Sequence, residues 1–297
     1  TRAALQMLDT AMARVEAALQ VDGQSAKARE LRGVLKYEQW RVGRLTLDPV
    51  VRDALLKDAE EDLLAATRLD NRLVTAYATL TFVYYDMKDV STSLIQATKA
   101  YESDEFLSNS QAILTRLFYG SYDTQLFSDA RKWCGEGGRR FPRNYVFTLC
   151  HLWLQLEPDA TRNIDQAWQL AARVDSLAPA SSREFQSRIA QMIVGGAIGR
   201  AARRLSAGAQ QDQLLDSARR VLERAQADRK IDPGQELAGY RAVMHAQFGD
   251  NERALQLLRS YVAANPDHSF RVGGNVHWWW RDLRNQRGFD ALLSRTR

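Results

Sequence analysis

The most reactive side chains in this sequence are Cys134 and Cys150, the adjacent His151, and three further histidines, His245, His268 and His277. A thiolate beside an imidazole can act as a nucleophile or hold a metal, and either use needs further ligands or an activating base nearby. The histidines show no ligand spacing with one another, and Cys150-His151 as neighbours cannot close a site alone. Both thiols lie among apolar residues, Trp133, Leu149 and Leu152, where free cysteine packs as a small hydrophobe. Burial without a bridge is therefore expected. A disulfide across successive helices is the first alternative, and a reactive or metal-binding role the second.

Other motifs carry less chemistry. Gly135-Glu136-Gly137-Gly138 resembles part of a phosphate loop but follows a helix rather than a strand and lacks the Lys-Ser/Thr that holds phosphate and magnesium. Helix termination before Phe141-Pro142 accounts for it. Gly195, Gly196 and Gly199 lie in the apolar stretch Ile189 to Arg200 and suit close helix packing. Asp58, Glu60, Glu61 and Asp62 read as a solvated helix face. No residue is assigned as catalytic, cofactor-binding or metal-binding, no cofactor is implied, and the chain is expected not to be an enzyme.

The elements that carry these residues are more legible. Ala11, Ala59, Ser93, Ala130, Ala167, Ala218 and Ala254 each lie in an apolar helix that ends in a turn signal, at intervals of 48, 34, 37, 37, 51 and 36 residues. The shorter intervals approach the period of about 34 residues of a helix-turn-helix array. In one repeat, Tyr77, Leu80, Thr81 and Tyr84 precede a Lys88-Asp89 turn, and Ser93, Ala97, Ala100 and Asp104 follow it. Large apolar residues at helical spacing, then small ones, describe two antiparallel helices in close contact. Leu114, Leu117, Phe118, Ala130, Cys134, Gly137 and Pro142 repeat the pattern, as do Ala242, Gly249-Asp250, Ala254, Leu258, Tyr261 and Pro266. This resembles the tetratricopeptide repeat.

The expected fold is an all-α, right-handed α-solenoid of tetratricopeptide-like hairpins. Its helices fall near 2–20, 25–44, 49–68, 73–87, 90–103, 107–121, 125–138, 144–156, 162–177, 181–206, 211–228, 235–248, 251–264 and 278–294. Residues 1–297 read as a single domain of about seven hairpins, the first incomplete because Ala4, Leu8, Ala11, Val15 and Ala18 describe a second helix without its first. That start suggests a fragment, with any catalytic domain upstream.

Residues 267–297 are expected to form a C-terminal cap. Within it Trp279, Leu283, Phe289, Leu292 and Leu293 cover the last hairpin, and at least one of Trp278, Trp279 and Trp280 lies off the helix face. No stretch of about 18 apolar residues occurs, so no membrane insertion is expected, and a cytoplasmic setting is.

The formal charge is +5, and the excess arginines cluster: Arg131, Lys132, Arg139, Arg140 and Arg143 in one group, Arg200, Arg203, Arg204, Arg219, Arg220 and Arg224 in another. A solvated face explains them. The alternative is a nucleic-acid-associated regulator, although no nucleic-acid-binding signature is present.

Arg32-Gly33 with Tyr37 and Trp40, Ala100 to Leu107, Trp133-Cys134 followed by Gly138 to Pro142, and the ending from Arg281-Asp282-Leu283 to Leu293 sharpen the likeness. They resemble the tetratricopeptide region C-terminal to the kinase domain in bacterial eukaryotic-like serine/threonine kinases. The resemblance implies a signalling context, while the kinase's own motifs are absent from this chain. In such arrays the first helices of successive repeats line a concave face that receives a peptide or helix of a protein partner. On that face the register puts Tyr37, Phe82, Tyr85, Tyr119 and Tyr122, with Asp86 and Asp123 beside them. Packing between repeats is the competing role for each tyrosine. The lysine and asparagine positions that clamp a C-terminal carboxylate in chaperone-binding members hold Ala78, Phe82, Thr115 and Tyr119 here, which argues against that ligand.

Overall fold

The structure is a computed structural model, and it describes residues 2–44, 46–160, 163–265 and 277–293. It is an all-α helical repeat, with no strand among the described residues. Helix α1 (Arg2–Val21) packs on α2 (Ala26–Gly43), and α2 pairs with α3 (Pro49–Leu69). Helices α4 (Val74–Asp86) and α5 (Val90–Ser103) form the next hairpin, followed by α6 (Ser110–Asp123) and α7 (Phe127–Arg140). Then come the pairs α8 (Tyr145–Trp153) with α9 (Ile164–Leu177), α10 (Arg183–Ala202) with α11 (Ala209–Arg224), and α12 (Glu236–Gln247) with α13 (Asn251–Ala264). The contacts divide into two compact units, residues 1–133 and 134–297, the division falling inside α7.

Local chemistry explains the starts and stops. Asp48 accepts from Val50 N at 2.9 Å just before Pro49, which lacks an N–H to waste at the first helical position. Asp89, Asn144 and Asn163 cap α5, α8 and α9 in the same way. Three hairpin turns share one device. Lys88, Gln125 and Gly249 adopt φ of 67°, 64° and 86°. Around each, an N–H bonds five residues back (Asp89 to Tyr84, Leu126 to Ser121, Asp250 to His245), satisfying carbonyls the ending helix leaves open. Only the last copy uses glycine, the residue that adopts this conformation without steric cost.

The small residues of the repeat sit where the helices touch. Ala59, Ala130, Ala167, Ala218 and Ala254 are fully buried and Ser93 nearly so, while Ala11 on α1 is half-buried. Their partners include glycines at matching places in the two units. A Cβ on Gly33 of α2 would lie 3.1 Å from the Ala59 carbonyl, and one on Gly195 of α10 would lie 3.4 Å from that of Ala218. Gly196 and Gly199 likewise admit Met244 and Phe248, so the glycines of α10 serve packing.

Helix α7 ends at Arg140, directly before Phe141-Pro142 as expected, and within it Gly137 makes room for the Phe147 ring. Three expectations need correction. Asp62 is buried rather than solvated, because Arg32 and Lys36 of α2 reach across to it. Cys134 and Cys150 are buried as expected but bridged, since α7 and α8 bring their Cα atoms to 5.9 Å, within disulfide reach.

The capping helix, finally, is a 3-10 turn, Trp278–Leu283, followed by the short α14 (Asp290–Leu293). A 3-10 turn has three residues per turn rather than a single apolar stripe, and all three tryptophans are buried. The turn packs on α12 and α13, with Trp279 stacked on Trp153 at 5.1 Å and its carbonyl accepting from Gln247 at 3.1 Å. Pro266, residues 267–276 including His268, and the side chain of Leu293 lie outside the described residues.

Candidate functional site

In the first unit α2 packs on α4 and α4 on α6, so the first helices of its hairpins are neighbours, as a peptide-receiving face requires. On that row Tyr37 is buried, not projecting. Its ring stacks on Trp40 at 5.9 Å and its hydroxyl donates to Asp86 at 2.9 Å. Burial and the Asp86 carboxylate raise the Tyr37 hydroxyl far above its ordinary pKa, so it remains a proton donor. Tyr122 is also buried, its ring 5.7 Å from Phe118 and 5.8 Å from Phe127. Both lie on the side of their helix that meets the neighbouring helix, the competing role for tyrosines in repeats.

Phe82, Tyr85 and Tyr119 are half-buried and keep part of each ring on the surface. Phe82 and Tyr85 stand three residues apart on α4, hence on one face. Arg116 of α6 places its guanidinium 3.6 Å from the Tyr85 ring centroid and 5.8 Å from that of Phe82. Among the described residues this guanidinium has no hydrogen-bond or ion-pair partner, unlike Arg32, Arg41, Arg52 and Arg72 in the same unit. Stacking covers one face of the guanidinium and leaves its N–H edge open to an acceptor. Arg116 was not picked out in the sequence. Its signal was an arginine one helix along from an i, i+3 aromatic pair.

A second group lies in the second unit. One ligand atom each from Cys134, Cys150 and His151 fall within 4.8 Å of one another, His151 being exposed and both sulfurs fully buried. The sequence offered the adjacent pair and, as an alternative, a bridge from Cys150 to Cys134 in the middle of α7; what the structure adds is the approach of His151 to both sulfurs.

The arginines expected on a basic face are largely engaged. Arg204 donates to the carbonyls of Pro158 and Ala160, Arg203 to that of Gln247 and to the Asp282 carboxylate, Arg200 to the Gln247 side chain, and Arg219 to Asp216 and Asp250.

No protein-family model matches the chain, and no curated protein matches it at significant similarity. Among solved structures, a tetratricopeptide repeat protein from Parabacteroides merdae aligns over 97% of this chain and 92% of its own, with 13% identity and a TM-score of 0.57. Cut9 with Hcn1 from the APC/C aligns over 97% of this chain and 52% of its own at 10% identity and TM-score 0.48. Yeast Tom70 aligns over 88% and 56% at 15% identity and TM-score 0.45, so this chain spans about half the length of each of these two. At such identities the likeness concerns the fold, which is that of a tetratricopeptide-like helical array.

Proposed function

We propose that the chain is a non-catalytic interaction scaffold or regulatory module, and that the face formed by α2, α4 and α6 receives a peptide or helix of a protein partner. The observation that carries this reading is the Arg116 guanidinium set against the rings of Phe82 and Tyr85, with half-buried Tyr119 three residues along the helix of Arg116, rings left partly open on neighbouring first helices. Aromatic side chains with polar tips supply rigid contact area at low entropic cost. In this reading Tyr37 and Tyr122 hold the face from beneath. The yrrB product, a tetratricopeptide protein described as having an unusual peptide-binding site, is a precedent for the role only.

The same proposal takes residues 1–297 as one repeat domain, attached, as its resemblance implies, to an upstream bacterial serine/threonine kinase. It sets the chain in the cytoplasm, where thiol reductants would hold Cys134 and Cys150 as a dithiol. No helix is long and apolar enough to cross a membrane among the described residues. The nucleic-acid reading loses its main support, because most arginines of the second cluster already serve the chain's own carbonyls and carboxylates.

Selection of a displayed random-peptide library on the full chain tests the proposal. Enriched peptides should bind the wild type, and Tyr85→Ala with Phe82→Ala should abolish that binding while leaving the circular dichroism unchanged. Peptides that bind both proteins equally, or tight binding to random-sequence duplex DNA that collapses with added salt, would reject it.

A further inference from the structure

The middle of α7 and the middle of α8 bring three metal-ligating atoms together, independently of the aromatic face. Cys134 and Cys150 are joined, and His151 follows Cys150 with its imidazole turned toward α7. Its Nε2 lies 3.7 Å from where a Cβ on Gly138 would stand. The absence of a side chain at 138 thus leaves the imidazole room beside the α7 backbone, four residues after Cys134 and one turn along the same helix.

We infer that, once reduced, Cys134, Cys150 and His151 form a binding site for a thiophilic d10 cation such as Zn2+, so that the bridge and the metal are mutually exclusive states of one locus. Three features support it. The three ligand atoms already lie within 4.8 Å, so opening the bridge demands only side-chain rotation to reach Zn–S of about 2.3 Å and Zn–N of about 2.0 Å. Two thiolates with one imidazole are the donor set that selects such cations, and three protein ligands leave a fourth position for water. The site also has an entrance, because the sulfurs are buried while His151 is exposed.

The chemistry balances with a dithiol as reductant. A thiolate of the dithiol attacks one sulfur, the Cys134–Cys150 bond breaks, and closure of the reductant to its own disulfide supplies two electrons while each protein sulfur takes a proton. On binding, the two thiols release two protons to solvent and the divalent cation replaces them. The thiolates then cancel its charge, which offsets the repulsion that Arg173, near His151, exerts on a cation.

The test uses the full chain, reduced with excess dithiol and freed of it under nitrogen, then titrated with Cd2+ and back-titrated with Zn2+. Expected are one equivalent bound, a thiolate-to-cadmium absorption band removed by Zn2+, and no band in the oxidised chain. His151→Ala, an exposed position that leaves the core intact, should retain a band but weaken binding by at least about tenfold, a loss that even outer-shell partners cause. Cys134→Ser should remove the single-equivalent complex. The absence of a band after reduction, or affinity unchanged in His151→Ala, overturns the proposal. So does a reduced chain that loses its helical signal without recovering it on Zn2+ addition, because the site requires α7 and α8 to remain paired.

Discussion

Residues 1–133 and residues 134–297 repeat one helical plan, yet they tie their helices together with a different mix of acceptors. In the first unit the ties end on carboxylates. Asp62 of α3 accepts from Arg32 and Lys36 of α2, both at 2.8 Å, and Asp86 accepts from Tyr37. In the second unit Arg203 and Arg219 also reach the carboxylates of Asp282 and Asp250, but further ties end on backbone carbonyls. Arg188 donates to the carbonyl of Arg224, the last residue of α11, Arg203 to that of Gln247, the last of α12, and Arg173 to that of Pro142. Helix C-termini leave carbonyls without intrahelical partners and carry partial negative charge, so a guanidinium from the neighbouring helix serves both needs. Net charge therefore says little about a surface until its arginines are traced to their acceptors.

The largest effects expected from this contrast lie in the second unit, which adds the buried tryptophan turn and the disulfide. Trp280 is fully buried against the last hairpin, and Trp280→Ala should cost about 3–5 kcal/mol. Removing residues 278–297 should cost more and lead to aggregation, since the turn Trp278–Leu283 packs on α12 and α13. Calorimetry decides the matter, and an unchanged melting temperature on truncation would show that the segment does not cap. Reduction of the bridge, which closes a loop of 16 residues, should cost roughly 3 kcal/mol by the chain-entropy argument. The denaturant midpoint with and without reductant measures it. Should α2 to α6 melt separately, their transition should not move.

A third expectation concerns acid. Burial pushes the His245 imidazole down to about 4, with its bond to Asp250 opposing and Arg241 and Arg253 reinforcing the shift. Its folded pKa is thus depressed below the ordinary value near 6.5. The unfolded chain takes up a proton first, and stability present above pH 6.5 is lost as pH falls toward 4. The full loss is about 3 kcal/mol, and His245→Gln should flatten that part of the pH profile. An identical slope in His245→Gln would assign the acid sensitivity elsewhere.

These differences also mark what the sequence could and could not convey. The repeat frame was legible because packing demands small residues where two helices touch, and Ala59, Ala130 and Ala218 obey it strictly. The turn at Gly249-Asp250 was visible for a similar reason, whereas Gln125 adopts the same left-handed conformation without a glycine to announce it. The turn Trp278–Leu283 was read as a helix, since an aromatic triplet does not reveal a 3-10 turn. Of the face residues, Phe82, Tyr85 and Tyr119 remain partly open, while Tyr37 and Tyr122 were indistinguishable from them by type. Whether a tyrosine turns inward depends on a partner 49 residues away in the case of Tyr37 and Asp86, and no local spacing encodes that distance.

The smallest effect separates support from contact on the same face. Asp62 is buried, and burial alone would raise its carboxyl. The hydrogen bonds from Arg32 and Lys36 outweigh that and hold it below the usual carboxylate value. Stability from this group is therefore present above the ordinary carboxylate pKa and fades as pH falls through the lowered one. Arg32 and Lys36 are partly exposed, so Asp62→Asn should cost about 2 kcal/mol, below the range for a fully buried pair. Tyr37→Phe, which loses a single bond to Asp86, should cost about 1 kcal/mol. Neither change touches the rings of Phe82, Tyr85 or Tyr119, so peptides that bind the wild type should bind both variants with nearly the same affinity once folded. A loss of binding in Tyr37→Phe larger than its loss of stability would move Tyr37 from beneath the face into it.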